Sequence, residues 1–211
     1  MNKRVHYLNF ESPEPDKNAV LARLSYRKGI TQMTPEQEKF LEDGIKKTAS
    51  FCEVKTAYIR LKAEDAGSDF ITAEGGIVFN SKKLLKTTGN TDELILMAST
   101  AGPKAVTARD EAMKNSPALG VIIDAAASET ADAGLDELQV FIDKLLAKEG
   151  KKTTKRFSPG YGDLKIEAQK KIFEVLKLEN IGISITETFM LEPEKSVLAL
   201  CGAVNIRQEN E

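Results

Sequence analysis

The sequence predicts an α+β fold: a single domain with a mainly antiparallel twisted sheet flanked by helices. Helix-like and strand-like segments do not alternate strictly, several strand-like runs follow one another through glycine turns, and two more such runs close the chain. At 211 residues, 41% of them hydrophobic, the chain is long enough to bury one real core.

Thr34-Pro35-Glu36-Gln37 has a capping residue, a proline at the first helical position and a glutamine three past the cap, which predicts a helix to about Phe51. Its expected inner face carries Phe40, Leu41, Ile45 and Thr48. Thr56–Leu61 alternates as a strand, and Phe70–Phe79, broken by Gly75-Gly76, reads as a hairpin. A short helix is expected after Asn80-Ser81, then an apolar strand at Leu94–Ala98, a turn at Thr100-Ala101-Gly102 and a helix from about Pro103 to Met113. Gly120–Ile123 reads as a strand leading into a long helix with Ala131, Leu135, Leu138, Ile142 and Leu145 on one face. The run KEGKKTTKR, 148–156, reads as a solvated linker. Ala168, Ile172, Val175 and Leu176 repeat at i, i+4, i+7, i+8 and mark another helix. Gly182–Met190 and Ser196–Gly202 are expected to pair as a terminal hairpin. Low complexity is confined to the lysine run and the polar end Gln208–Glu211.

Composition excludes several function classes. Thirty basic against 32 acidic residues leave a net charge of −2, so no global field draws the chain to nucleic acid or anionic lipid. No run of about 18 apolar residues occurs, and the first residues carry no signal-peptide pattern. A soluble, cytoplasmic protein is expected, with no membrane partner. Cys52 and Cys201 lie far apart among apolar residues and read as two reduced core thiols. With His6 the single histidine, neither a metal site nor a Ser-His-Asp or Cys-His unit has the residues it needs elsewhere. No phosphate loop or dinucleotide fingerprint occurs.

Three features remain as candidates. In Arg156-Phe157-Ser158-Pro159-Gly160-Tyr161-Gly162-Asp163, proline and glycine can expose backbone amides to a ligand. Arg156 offers a planar fork suited to a carboxylate, and Tyr161 a ring suited to a purine or ribose. The plain structural reading has the tyrosine packed on the core and the arginine paired with a helix carboxylate. The second feature is the acidic stretch Asp124, Ser128, Glu129, Asp132, with Ser128 expected as the N-cap of the long helix. The acids then either complement the helix dipole or, if Asp132 faces the turn, hold a cationic group. The third is the final strand pair with Glu187, Met190, Ser196 and Cys201.

RFSPGYGD, the following helix ending in IFEVL, and IGISITETFMLEPEKSVLALCGA together resemble the activation (reactivation) domain of cobalamin-dependent methionine synthase. That family carries an R-x-x-x-G-Y motif, a helix, an "IG-hydrophobic-T-E" strand and a "P-x-K-S-V" turn into a last strand. VLARLSYRKG (20–29), IVFNSKKLLK (77–86), STAG (99–102) and VIIDAAASETAD (121–132) are similar to its earlier landmarks, so the resemblance spans Val20 to Ala203. It divides the chain into an N-terminal extension, 1–19, and an activation domain, 20–211.

The resemblance implies an accessory subunit that binds S-adenosyl-L-methionine and supports reductive remethylation of cob(II)alamin held by a partner methionine synthase. A flavodoxin-like or other donor would supply the electron. The chain would be a component of that methyltransferase, with no catalytic residue of its own. By motif position, Arg156 binds the ligand, Ser158 and Gly160 offer backbone groups and Tyr161 completes the motif. Asp132 falls where the family has a ligand-contacting glutamate, with Glu129 as the alternative in a shifted register. The ligand is a zwitterion with a sulfonium, so an arginine and nearby acids suit its charges. The sequence also departs from the family. Homocysteine, folate and cobalamin modules are missing from it, which implies action in trans. GYGDLKIEAQ lacks the PACP-like stretch of full-length enzymes and resembles free-standing members. Leu200-Cys201 replaces an aromatic pair near the adenosyl group, a loss of stacking worth about 0.5–1.5 kcal/mol. Two alternatives are activation of a different corrinoid-dependent methyltransferase and a docking scaffold that has lost its ligand.

Overall fold

The computed structural model describes residues 4–206, and the polar end Gln208–Glu211 lies outside them. In chain order the elements are β1 (His6–Asn9), α1 (Lys17–Arg23), α2 (Pro35–Ala49), β2 (Lys55–Ala66), β3 (Phe70–Ala73), β4 (Ile77–Asn80), α3 (Lys82–Thr88), β5 (Glu93–Thr100), α4 (Pro103–Asn115), α5 (Pro117–Ala147), β6 (Lys151–Thr153), α6 (Ala168–Leu176), a 3-10 turn (Leu178–Ile181), β7 (Ser184–Ile185), β8 (Leu191–Glu192) and β9 (Ser196–Asn205).

The main sheet is seven-stranded and antiparallel in the order β4-β3-β2-β5-β9-β6, with β1 on the free edge of β2. β2 reaches both β1 and β3 because its first half pairs with one and its far end, past an irregularity at Ala63/Asp65, with the other. The described part of the expected extension, 1–19, thus contributes a sheet strand and the first three residues of α1.

Local signals set most boundaries. At the start of α2, the Gln37 amide donates to Thr34 Oγ1 at 3.3 Å and the Thr34 amide to Gln37 Oε1 at 2.9 Å, a reciprocal cap. Gly75 and Gly76 take φ +85° and +72° in the β3–β4 turn. Ser81 Oγ accepts from the Leu84 amide at 2.9 Å to open α3.

The central strands are apolar on both faces. Tyr58, Ile95, Met97, Ala199 and Cys201 meet Leu135, Leu138, Ile142 and Leu146 of α5. Ile59, Leu61, Leu94, Leu96, Leu198 and Leu200 meet α3, α6 and the 3-10 turn. The first half of α5 instead packs Ile122, Ala125 and Ala126 against Val20, Leu41 and Ile45 of α1 and α2.

Five expectations are corrected. Gly120–Ile123 is helical, the second turn of the 31-residue α5, because Gly120, Ile122 and Ile123 are buried among neighbouring helices and tertiary packing overrides β-branched propensity. Ser128 is consequently no cap: its hydroxyl donates to the Asp124 carbonyl at 3.0 Å in mid-helix. The lysine run is not a free linker, since Lys151–Thr153 pairs with Ala203–Asn205 and Lys151 Nζ reaches Glu93 Oε1 at 3.3 Å. The last segments do not pair with each other: β7 pairs with β8, and β9 enters the main sheet between β5 and β6. On α2, Phe40 is 42% exposed, leaving Leu41, Ile45 and Thr48 as its inner face.

Leu138 is fully enclosed between α5 and the sheet. Leu138→Ala is expected to lower the unfolding free energy by about 2–5 kcal/mol. Urea denaturation followed by circular dichroism measures it, and a loss below about 1 kcal/mol would contradict this packing.

Candidate functional site

The segment leading into RFSPGYGD is laid along β9. The Thr154 amide donates to the Gly202 carbonyl at 2.9 Å, the Gly202 amide to Thr154 Oγ1 at 2.9 Å, and Phe157 and Leu200 exchange both backbone bonds at 2.8 Å. Arg156 is held between these two fixed points. Its Nη2 pairs with Asp136 Oδ1 of α5 at 2.6 Å, while its buried Nη1 has no hydrogen-bond partner. An unmatched buried guanidinium nitrogen is costly, because its desolvation is not repaid by a bond.

Beyond Phe157 the loop closes on itself. The Gly160 amide donates to the Leu164 carbonyl at 2.8 Å, the Tyr161 amide to Ser158 at 3.3 Å and the Leu164 amide to Tyr161 at 3.1 Å. Gly160 takes φ +86°, a region that favours glycine. The expected display of exposed amides is therefore corrected at Gly160 and Tyr161, whose N–H groups serve the turn. Asp163 moors the loop to the start of α3, accepting from Ser81 Oγ and from the Lys82 amide at 2.9 Å. Held in this way, the loop leaves the Tyr161 ring 70% exposed, so it does not pack on the core.

A cleft of about 200 Å³ opens beside this ring, walled by Arg23 of α1, Ser128 and Asp132 of α5, Tyr161, and Lys195 and Ser196 at the start of β9. Asp132 and Tyr161 thus share one cavity. Arg23 spans the two acids, with Nε on Glu129 Oε1 and Nη2 on Asp132 Oδ2 at 2.7 Å. Burial pushes the Asp132 carboxyl above its ordinary range, Glu129 adds to that, and Arg23 and Arg156 only partly oppose it. Lys195 is 9% exposed, with Nζ on Asp124 Oδ1 at 2.7 Å and Ser128 Oγ at 3.1 Å. Burial alone would raise Asp124, but bonds from Lys195 and Arg109 outweigh it and hold that carboxyl low.

Not every candidate converges here: Asp132 and Tyr161 wall the cleft, whereas Arg156, Ser158 and Gly160 do not line it. Cys201 lies fully buried under α5, 3.8 Å from Met97 Sδ, with burial pushing its thiol up to about 12. Cys52 is also a free buried thiol, raised to about 11. His6 stacks on Tyr58 at a ring separation of 4.9 Å. Among the described residues, no group of three or more His, Cys, Asp or Glu is placed to hold a metal ion, and no helix is long and apolar enough to cross a membrane. Arg23, Lys195 and Asp163 were not singled out from the sequence. Arg23 and Lys195 lie within the quoted motifs VLARLSYRKG and EPEKSV, but nothing in the spacing reveals a partner 106 positions away, as Glu129 is from Arg23.

Two outcomes test this geometry. In the native protein at pH 8, neither thiol should react appreciably with a disulfide reagent, while both react after denaturation; rapid native labelling of Cys201 would contradict its burial. Asp163 is depressed chiefly by its bond from Ser81 and also by the Lys82 and Lys83 amides. A depressed carboxyl contributes stability above its unfolded pKa of about 4 and loses it as pH falls through the folded value. Asp163→Asn should therefore lower the melting temperature near neutrality, with the difference from wild type shrinking in acid. A difference that persists unchanged at low pH would refute the mooring role.

No family model and no curated protein sequence matches the chain. Among solved structures, it is similar to the crystal structure of the MetH reactivation domain bound to AdoHcy, with a TM-score of 0.72 at 16% identity, covering 94% of this chain and 78% of that one. The curled antiparallel sheet flanked by helices is the fold of that domain.

Proposed function

We propose that this chain binds S-adenosyl-L-methionine in the cleft beside Tyr161 and supports reductive remethylation of an inactive cob(II)alamin held by a partner methionine synthase subunit. The buried, unpartnered Nη1 of Arg156 carries the reading, because it lacks an acceptor that the ligand's carboxylate would supply. Asp132 and Glu129 offer negative charge to the ammonium and sulfonium side. The exposed Tyr161 ring offers a face for the nucleoside, with Ser158 and Gly160 shaping the turn beneath it. The likeness to the reactivation-domain fold supports the same context.

In the assembly, an electron from a flavodoxin-like or other donor would reduce the cobalt, and the ligand's methyl group would pass to it, leaving S-adenosylhomocysteine. The chain's part is to hold and orient the methyl donor. A docking scaffold without a ligand is the second reading, favoured by the Arg23 guanidinium already bridging both acids.

Calorimetric titration with S-adenosyl-L-methionine separates the two. Measurable binding is expected, weakened about 10- to 100-fold in Arg156→Ala, the loss of a hydrogen bond to a charged group worth about 1.5–3 kcal/mol. No heat and no thermal stabilisation at millimolar ligand would overturn the binding reading, and co-purification of a corrinoid protein regardless of ligand would then favour the scaffold. Undiminished binding by Arg156→Ala would remove the arginine from the site.

A further inference from the structure

Arg23 sits where a ligand's cation is expected. Its guanidinium forks across Glu129 and Asp132, which stand at i and i+3 on one face of α5. A fork of N–H donors facing two carboxylates has the charge pattern that an α-ammonium would present to them. The two sides of this contact differ in rigidity. The acids ride on the 31-residue α5, whereas Arg23 ends α1, a helix of 7 residues, immediately before Leu24 and before Ser25 at φ +61°. Downstream of Ser25 the chain runs through turns in which Ile30 is 74% exposed. The Arg23 side chain is itself 43% exposed at the cleft mouth, so it can leave into water without crossing the core.

We propose that Arg23 is a built-in competitor for the cation subsite of the cleft, released when the ammonium of an amino-acid-bearing nucleoside takes its place on Glu129 and Asp132. This rests on the ligand reading above and adds a gate to it. The apparent affinity is then reduced by the fraction of time the acids are free. The gate is selective as well: ligands with an α-ammonium can displace the arginine, and the same nucleoside without the amino-acid end has nothing to exchange for it. The competing structural role is a staple between α1 and α5, in which case removing Arg23 lowers stability and leaves ligand affinity no better.

The experiment compares wild type with Arg23→Gln by calorimetry, using two ligands of zero net charge near neutral pH, S-adenosylhomocysteine, which has the ammonium, and 5′-methylthioadenosine, which does not. Because both ligands are net neutral, the lost positive charge does not favour one by long-range attraction. If the acids are occupied about nine-tenths of the time, S-adenosylhomocysteine should bind about tenfold more tightly to Arg23→Gln, with 5′-methylthioadenosine unchanged. Arg23→Lys, which keeps the charge but loses the fork, should give a smaller gain of the same kind and serves if the glutamine variant does not fold. Equal or weaker S-adenosylhomocysteine binding, or an equal gain for both ligands, overturns the gate while leaving wild-type binding to stand for the function proposed. Binding by neither protein overturns both, and binding by the variant alone supports the arginine as a block while overturning ligand binding by the wild-type chain.

Discussion

The close seating of α5 on the sheet is the constraint on which the site depends. At Gly134 a Cβ would stand 2.3 Å from Ser99 Oγ and 2.7 Å from Val54 Cγ1, so any side chain there would lift the helix from β5 and the start of β2. Seated at that depth, α5 presents a polar stripe to the β6 segment. Asp136 takes Arg156, Gln139 Nε2 donates to Thr153 Oγ1 at 2.7 Å and to the Thr154 carbonyl at 3.1 Å, and Asp143 Oδ1 accepts from the Thr153 amide at 2.7 Å. The spacing 136, 139, 143 is one helix face. One side of the helix thus closes the core while an adjacent stripe orders the strand that delivers Arg156, so stability and site geometry share a single contact.

The same seating explains which parts of the fold were legible in sequence. Signals that act within a few residues were readable: the Thr34–Gln37 cap, the Gly75-Gly76 turn and the Ser81 cap each form their bonds inside their own segment. Gly120–Ile123 was not, because an apolar run buried on more than one side loses its period and is helical only through what surrounds it. The lysine run was hidden for a related reason. Its composition is that of a linker, and only β9 on one side and the α5 stripe on the other make it a strand. Within the candidate site, Asp132, Arg156 and Tyr161 were readable as charge and ring chemistry in recognisable motifs. Arg23 was not, because its role exists only once α1 lies against α5.

Placing Glu129 and Asp132 in mid-helix, not in the first turn, removes the helix dipole as their counter-charge. Each acid on this flank of α5 must therefore be neutralised by a side chain from elsewhere, and the flank grades accordingly. Asp124, at one end, is served by both Lys195 and Arg109 and is held low in spite of burial. Asp132, at the other, is balanced mainly by a single arginine from a short helix, and burial prevails. The end of the cleft beside Tyr161 is the under-neutralised one, and a further positive group is received most favourably there.

The tyrosine loop divides the two readings that the sequence left open. Arg156 does pair with a helix carboxylate, as an ordinary structural arginine would, yet half of its fork stays buried without a partner. Tyr161, by contrast, has no core packing to account for its place. The loop is held by backbone and carboxylate bonds, namely the internal turn bonds, the Phe157–Leu200 bridge and the Asp163 mooring, and by Phe157 and Leu164 packed on the core. The ring therefore contributes little to folding, and truncating it should leave stability within about 0.5 kcal/mol of wild type. A large side chain held in water by so many bonds to its own backbone segment is better explained by what it faces than by what it supports. The structure thus divides the loop's labour, with Asp163 and Phe157 fixing its position and Tyr161 left free to meet whatever enters the cleft.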